Sequence, residues 1–221
     1  MDMKREEVAR VIDSAELRID AGYREIETLC CNAREYGFHA VCVYPFWVRS
    51  VKHLLKGSEV KVCAVIAFPH GMSLVKEEEC ARVITQGADE IDMVMNISAY
   101  LSGGEHRKRI LQEMERCTDL AKGRDVTLKV IIEYPVLPEG VIPELIEDLL
   151  TCGVDFIKTA TGTRGDTSPE MVRHLSGLLK GRARIKAAGG IRTLSRLEEM
   201  VQAGASRIGT SSAVEIMREA K

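Results

Sequence analysis

The chain has 221 residues, with 31 basic and 33 acidic side chains and a formal net charge of −2. This balance gives no reason to expect a nucleic-acid or membrane partner, and no apolar run approaches the roughly 18 residues of a transmembrane helix. Residues 1–7 are charged and lack the apolar stretch of a signal peptide.

Short apolar or β-branched runs alternate along the chain with longer amphipathic segments. The runs 62–66 and 130–132 are continuously apolar, which is typical of strands buried on both faces of a parallel sheet. The eight strand candidates are 11–13, 40–44, 60–68, 90–96, 126–133, 155–159, 184–188 and 206–210.

The segments between these strands carry apolar residues at helical spacing. Ser168, Pro169 and Glu170 form an N-cap, a first-turn proline and an early acid. Gly204 follows the last helix candidate and reads as its C-terminal stop. The helix candidates are 20–36, 76–86, 105–122, 168–179 and 194–203.

Repeated strand–helix units of this length predict an α/β fold with a parallel sheet. Eight of them predict a (β/α)8 barrel, the TIM barrel. No linker or change of composition divides the chain, so we expect one domain spanning residues 1–221. In such a barrel the active site lies at the carboxyl ends of the strands.

Charged residues interrupt several of the predicted strands. Side chains alternate between the two faces of a strand, so Asp92, Lys158 and Lys186 each lie on a defined face of their own strand. Lys129 is a third candidate cation. If those faces point into the barrel, one carboxylate and the lysines converge on one cavity. Lysine is rarely buried unless it is paired or used, and a desolvated lysine beside another cation readily becomes a nucleophilic amine. This pattern predicts Schiff-base chemistry.

The last two strands end in groups that suit a phosphate. Gly189 and Gly190 leave backbone N–H groups accessible, and the segment Gly209 to Ser212 offers further N–H groups and hydroxyls at the start of a helix. Barrel enzymes often hold a substrate phosphate in these two loops. Ser211 and Ser212 are also compatible with plain helix N-caps.

Metal and nucleotide cofactors are not expected. The five histidines are scattered singly, whereas a catalytic metal needs convergent ligands. A GxGxxG fingerprint and a P-loop are both missing from the sequence.

The seven cysteines include no CxxC pair, and Cys30 and Cys31 are adjacent. We interpret the chain as a reduced cytoplasmic protein with buried thiols, not a disulfide or zinc framework. Cys42 and Cys63 lie inside apolar strands, where cysteine acts as a small hydrophobic residue.

Several of these segments together resemble the deoxyribose-phosphate aldolase family. The order and spacing of the segments match along nearly the whole chain. They are VCVYP at 41–45, GADEIDMV at 87–94, LKVIIE at 128–133, FIKTATG at 156–162, KAAGGIRT at 186–193 and RIGTSS at 207–212.

The resemblance implies a metal-free class I aldolase that cleaves 2-deoxy-D-ribose 5-phosphate into D-glyceraldehyde 3-phosphate and acetaldehyde. It implies that Lys158 forms the Schiff base, that Lys186 is the second lysine and that Asp92 relays protons. It further implies supporting roles for Lys129 and Thr161. The phosphate cradle is matched by Gly190, Ser211 and Ser212, and relatives form homodimers or homotetramers.

The chain departs from the family pattern in places. It has Asp13-Ser14-Ala15 where the family usually has Asp-His-Thr, and Glu133-Tyr134-Pro135 where Glu-Thr-Cys is common. These departures keep open a sibling Schiff-base lyase acting on another phosphorylated aldol. A non-catalytic phosphate-binding barrel is a third hypothesis, against which the intact set of Lys158, Lys186 and Asp92 argues.

Some side chains keep a structural alternative. A structural ion pair with Glu133 or Asp92 would also explain Lys129. For Asp13 and His70 structural and catalytic roles both remain open.

Overall fold

The protein is described by a computed structural model that covers residues 3–221. Within these residues eight parallel strands close into a barrel in chain order, with β8 pairing β1. The predicted (β/α)8 barrel is therefore confirmed. The strands are β1 Ile12–Glu16, β2 Ala40–Val43, β3 Lys61–Ile66, β4 Glu90–Val94, β5 Thr127–Ile131, β6 Phe156–Lys158, β7 Arg184–Ala188 and β8 Arg207–Thr210.

Helices surround the barrel and cover its outer face. The described helices are α1 Arg5–Val11, α2 Tyr23–Tyr36, α3 Val48–Leu54, α4 Lys76–Gln86, α5 Ile97–Leu101, α6 Gly104–Lys122, α7 Ile142–Thr151, α8 Pro169–Leu179, α9 Leu194–Gln202 and α10 Ala213–Glu219. Short 3-10 turns lie at Pro45–Trp47, Tyr134–Val136 and Glu139–Val141. Among residues 3–221, no helix combines the length and apolar character needed to cross a membrane.

The predicted helix boundaries hold where a cap defines them. The Ser168 side chain accepts a hydrogen bond from the Met171 amide over 3.3 Å, with Pro169 in the first turn of α8. Gly204, which follows the C-cap residue Ala203 of α9, has a φ of +115°, a conformation that favours glycine. Both predictions are confirmed because capping chemistry is local.

The first strand prediction was too short and began one residue early. Residue Val11 ends α1, and the strand continues to Glu16. Helices α3 and α5 were not predicted from the sequence. With 7 and 5 residues they are too short to show a helical period. Helix α7 did carry a readable signal, an early proline followed by Leu145, Ile146 and Leu149 on its buried face.

The main apolar core lies between the barrel and the helices, and a smaller apolar cluster of Ala40, Cys42, Cys63 and Val65 lies inside the barrel. Ile91 and Met93 of β4 belong to this core, while Asp92 between them points inward. The predicted burial of both faces of β3 and β5 is confirmed, since residues 62–66 and 128–131 are all buried. The alternation therefore places charged side chains inside the barrel beside this small apolar cluster.

Candidate active site

Asp92 is the centre of a charged cluster inside the barrel. Its Oδ2 accepts hydrogen bonds from Lys158 Nζ and Lys186 Nζ, each over 2.7 Å. Its Oδ1 accepts one from Lys129 Nζ over 3.0 Å. All four residues are buried. The structure thus brings together the carboxylate and the three lysines that the sequence placed on inward strand faces.

The charges in this cluster stabilise one another against the cost of burial. Burial alone would raise the pKa of Asp92, but Lys129, Lys158 and Lys186 outweigh it and hold the pKa well below its ordinary value. Burial opposes the charge on Lys129 and Lys186 as well. Their carboxylate neighbours, chiefly Asp92 for Lys129 and Asp13 for Lys186, nevertheless raise both pKa values well above the ordinary range. Asp92, Lys129 and Lys186 are therefore charged at neutral pH.

The cluster continues below Asp92 through ion pairs that cross the barrel. Asp13 pairs with Lys186 and with Arg207 Nη1 at 3.2 Å, and Glu90 Oε2 lies 2.6 Å from Lys129 Nζ. Among the described residues, the cluster holds one more cation than carboxylate. Its members are the carboxylates Asp13, Glu90 and Asp92 and the cations Lys129, Lys158, Lys186 and Arg207.

A cavity of about 560 Å³ opens above the cluster at the carboxyl ends of the strands. Lys158 and Lys186 lie at its floor. The candidate phosphate residues Gly189, Gly190, Gly209 and Ser211 line it together with Thr161. Because these residues share one cavity with Lys158, a molecule held at the glycine loops can reach the lysine.

Two predicted binding residues lie outside this cavity lining. Lys129 is fully buried beneath Asp92, where its ion pairs with Asp92 and Glu90 support the structural alternative. Ser212 precedes α10, and its backbone amide donates to Thr210 Oγ1 over 2.9 Å. The Ser212 hydroxyl does not cap the helix.

Glu133 has a role that its place in the sequence did not reveal. It adopts a left-handed conformation with a φ of +48°, and its side chain is buried. Both carboxylate oxygens lie 3.2 Å from the Thr161 amide nitrogen, and Thr161 Oγ1 is hydrogen-bonded to Thr163 Oγ1 over 2.8 Å. Glu133 therefore fixes the loop that follows Lys158.

The interpretation of Cys42 and Cys63 as small hydrophobic residues is incomplete. Both are buried as expected, but their thiols face Asp92 inside the barrel. Cys63 Sγ lies 3.2 Å from Asp92 Oδ1, and Lys129 Nζ lies 3.5 Å from the same sulfur atom. Burial raises the pKa of the Cys63 thiol, so it remains a hydrogen-bond donor to Asp92. Applying the period-two rule to β2 and β3 would have indicated this position.

Asp13 and His70 differ in their position relative to the cavity. Asp13 lines the cavity floor and pairs with Lys186. His70 lies outside that cavity lining, with Nδ1 3.5 Å from a guanidinium nitrogen of Arg164. Near the cavity mouth Glu16 and Arg18 form a salt bridge at 3.1 Å, and both residues line the cavity.

Comparison with known proteins agrees with this geometry. The family model described as DeoC/LacD family aldolase matches residues 3–216. The chain belongs to the DeoC/LacD aldolase family. Among curated members of this family, a deoxyribose-phosphate aldolase from Carboxydothermus hydrogenoformans is 40% identical over 216 residues, covering 96% of this chain and 94% of the relative. One from Geobacillus sp. is 39% identical over 213 residues, covering 95% and 94%.

Solved structures of DeoC/LacD aldolases show the same barrel. A tetrameric deoxyribose phosphate aldolase from Aeropyrum pernix matches with a TM-score of 0.90 and 32% identity. The match covers 97% of this chain and 91% of that one. The family relationship therefore rests on sequence and fold over nearly the full length.

Proposed function

We propose that this protein cleaves 2-deoxy-D-ribose 5-phosphate into D-glyceraldehyde 3-phosphate and acetaldehyde through a Schiff base on Lys158. The observation that carries the proposal is the position of Lys158 Nζ, at the cavity floor and 2.7 Å from Asp92 Oδ2. The names of the curated relatives support the same substrate.

The charge balance supports Lys158 as the nucleophile. Without Lys158 the described cluster contains three carboxylates and three cations. Among the described residues Lys158 pairs only with Asp92, which it shares with Lys129 and Lys186. Lys158 is therefore the one cation of the described cluster that the carboxylates do not need for charge balance.

The reaction uses this amine to make an electron sink. The Lys158 amine adds to the substrate aldehyde carbon C1, and loss of water from the carbinolamine gives an iminium. The C2–C3 bond then breaks as the C3 hydroxyl loses its proton, which releases glyceraldehyde 3-phosphate and leaves an enamine on Lys158. Protonation at C2 and hydrolysis release acetaldehyde and the free amine. Asp92, in contact with Lys158, relays the protons, and Lys186 supplies the fixed positive charge beside them.

The substrate phosphate is held at the far side of the cavity. Gly189, Gly190, Gly209 and Ser211 line the cavity there, and backbone N–H groups and hydroxyls of such loops are suited to a phosphate. An added Cβ at Gly190 would lie 2.6 Å from both carboxyl oxygens of Asp166, and its φ is +73°. A residue with a side chain is therefore strained at Gly190, and Asp166 would have to move to admit it.

A borohydride trap tests the Schiff base. Acetaldehyde and borohydride should leave a reduced adduct on Lys158, found by peptide mass spectrometry, and Lys158→Ala should abolish both the adduct and turnover. Lys108→Ala, at a largely exposed helix position, is the matched control and should retain both. An active enzyme whose Lys158 stays unmodified after trapping contradicts the proposal.

A sibling lyase acting on another phosphorylated aldol is the second candidate. The Glu16–Arg18 salt bridge favours it, because this pair places a carboxylate and a guanidinium on the cavity wall. Comparing kcat/KM for deoxyribose 5-phosphate with values for other phosphorylated aldoses decides between the two. A higher value for another sugar phosphate would select the second candidate.

We also propose a cytoplasmic homodimer or homotetramer. A relative from Aeropyrum pernix is tetrameric, and large apolar side chains are exposed in the loops after β1, β2 and β3. Ile19 is 97% exposed, Phe46 80% and Leu74 84%. The free buried thiols suit a reducing compartment. Light scattering of the wild type and of Phe46→Ser tests the assembly, and a monomeric wild type would exclude it.

A further inference from the structure

The carboxylate of Asp166 lies against the glycine pair at the phosphate end of the cavity. A Cβ added at Gly190 would lie 2.3 Å from the carboxyl carbon of Asp166 and 2.6 Å from both of its carboxyl oxygens. Since a carbon–carbon single bond is about 1.5 Å long, the carboxyl carbon lies within about 4 Å of Gly190 Cα. An acidic side chain is therefore adjacent to the backbone proposed to bind the substrate phosphate.

The backbone on both sides of Asp166 is anchored to the same glycine pair. The Thr167 amide donates to the Gly189 carbonyl over 3.1 Å, and the buried Thr167 hydroxyl lies 2.8 Å from the Thr159 hydroxyl. On the other side, a Cβ added at Gly189 would lie 3.1 Å from the carbonyl oxygen of Gly165. These contacts hold residue 166 beside the phosphate end of the cavity.

The negative charge of Asp166 is not neutralised by a neighbouring cation. Among residues 3–221, no ion pair or hydrogen bond involves its carboxylate. Arg196 donates to the Thr167 carbonyl over 2.9 Å, but its ion pair, also over 2.9 Å, is with Glu199. An unpaired carboxylate acts with its full charge on any anion that binds beside it.

We propose that Asp166 is a specificity-determining residue whose fixed negative charge weakens the binding of phosphorylated aldols relative to their unphosphorylated forms. This inference rests on the proposed function, because it takes the substrate phosphate to bind at Gly190. Specificity arises from an unpaired charge that opposes one ligand as well as from contacts that favour another. Uncharged 2-deoxyribose meets no such repulsion.

The size of the effect follows from the distance and the charges. A phosphate that accepts a hydrogen bond of about 2.9 Å from the Gly190 amide lies within about one screening length of the carboxylate, roughly 8 Å at physiological ionic strength. A phosphate monoester carries close to two negative charges at neutral pH. Repulsion at this range is large enough to change affinity about 10-fold, and added salt reduces it.

Asp166→Asn tests the proposal because it removes the charge and keeps the size of the side chain. We expect KM for deoxyribose 5-phosphate to fall about 10-fold, with kcat unchanged and KM for 2-deoxyribose unchanged. The fall should become smaller as the salt concentration rises from about 0.05 M to about 0.5 M, which a merely structural effect would not show. Calorimetric titration with inorganic phosphate should show binding about 10-fold tighter in the variant, and this readout does not depend on catalysis.

Asp119→Asn is the matched control, because it makes the same change of net charge at an exposed position of α6. It should leave both KM values and the phosphate affinity as in the wild type. An Asp166→Asn enzyme with unchanged KM and phosphate affinity, or with an equal gain for 2-deoxyribose, overturns the proposal. Failure of the proposed function would be seen separately, as the lack of a borohydride adduct on Lys158 in all three proteins.

Discussion

Lys158 and Lys186 donate hydrogen bonds to the same atom, Oδ2 of Asp92, each over 2.7 Å. Because one carboxylate oxygen serves both ammonium groups, a change at Asp92 alters the nucleophile and its neighbouring cation together. Variants of Asp92, Lys186 and Lys129 separate the contributions of these groups.

Asp92→Asn removes the proton relay and the charge that balances three lysines. We expect kcat to fall about 10²–10⁴-fold, the usual contribution of general acid–base catalysis. The free energy of unfolding should fall by about 3–5 kcal/mol, because buried cations lose their partner. Steady-state kinetics and urea denaturation measure the two effects. Asp119→Asn, at an exposed position of α6, should leave both unchanged, and a fully active Asp92→Asn enzyme would contradict the assignment.

Lys186→Met tests whether the second cation assists the chemistry at Lys158. The Lys186 ammonium donates to the same Asp92 oxygen as Lys158, over 2.7 Å, so loss of this fixed positive charge should lower kcat by about 10²-fold or more. Lys186→Arg keeps a cation and should lose less activity. Equal kcat values for wild type and Lys186→Met would show that Lys186 has a structural role only.

The Lys129–Glu90 ion pair, at 2.6 Å, should behave as a unit. Lys129→Met and Glu90→Gln should each cost less folding free energy than the roughly 3–5 kcal/mol of an unpaired buried charge, because Asp92 still pairs with Lys129 and Arg207 still contacts Glu90. The double variant should cost less than the sum, with an interaction energy of about 0.5–3 kcal/mol. Urea denaturation of the four proteins provides the cycle, and strict additivity would be the contrary result.

The pKa shifts predict how the cluster contributes to stability as pH changes. The depressed pKa of Asp92 contributes stability that is present above its unfolded value of about 3.9 and is lost as pH falls through the folded value. The raised pKa values of Lys129 and Lys186 contribute stability that is complete below about 10.4 and is lost as pH rises through the folded values.

The stability difference between wild type and Asp92→Asn should therefore be constant from about pH 5 to 9 and shrink in acid below about pH 4. Urea denaturation across that range measures it. A difference that grows as the pH falls would mean that the Asp92 pKa is raised, not lowered.

Gly190→Ala separates phosphate binding from amine chemistry. Its φ of +73° and the nearby Asp166 carboxylate oppose an added methyl group, and the conformation alone costs about 1–2 kcal/mol. We expect a higher KM for the phosphorylated substrate while acetaldehyde still forms the borohydride adduct on Lys158. Gly177→Ala is the control, because its methyl group meets nothing within 4 Å. An unchanged KM in Gly190→Ala would place the phosphate elsewhere.

The sequence predicted the barrel and the convergence of the charged residues because both follow from local periodicity. Alternation decides the face of a strand, but depth along the strand decides what a side chain can touch. Lys158 is the last residue of β6 and reaches the cavity, whereas Lys129 lies two residues before the end of β5 and stays below. The depth of a side chain in the barrel depends on the register between neighbouring strands, and a single sequence does not give that register.

The sequence also did not show which charged side chains contact one another across the barrel. Glu90 and Arg207 contact through the tertiary register of β4 and β8, which are not neighbours in the sheet. The left-handed backbone conformation of Glu133 depends on the loop that its side chain supports. It could not be predicted, because a positive φ is usually indicated in a sequence by a glycine and this position is a glutamate.

The charged interior of this barrel has a consequence for its evolution and redesign. Each carboxylate of the Asp92 cluster touches at least one buried cation, so a neutralising substitution at one position is harmful until a second neutralises its partner. Substitutions inside the barrel are therefore strongly epistatic, and sequence change there should proceed by compensated pairs. A library that varies these positions singly would miss most of the functional variants, and one that varies them in oppositely charged pairs would reach them.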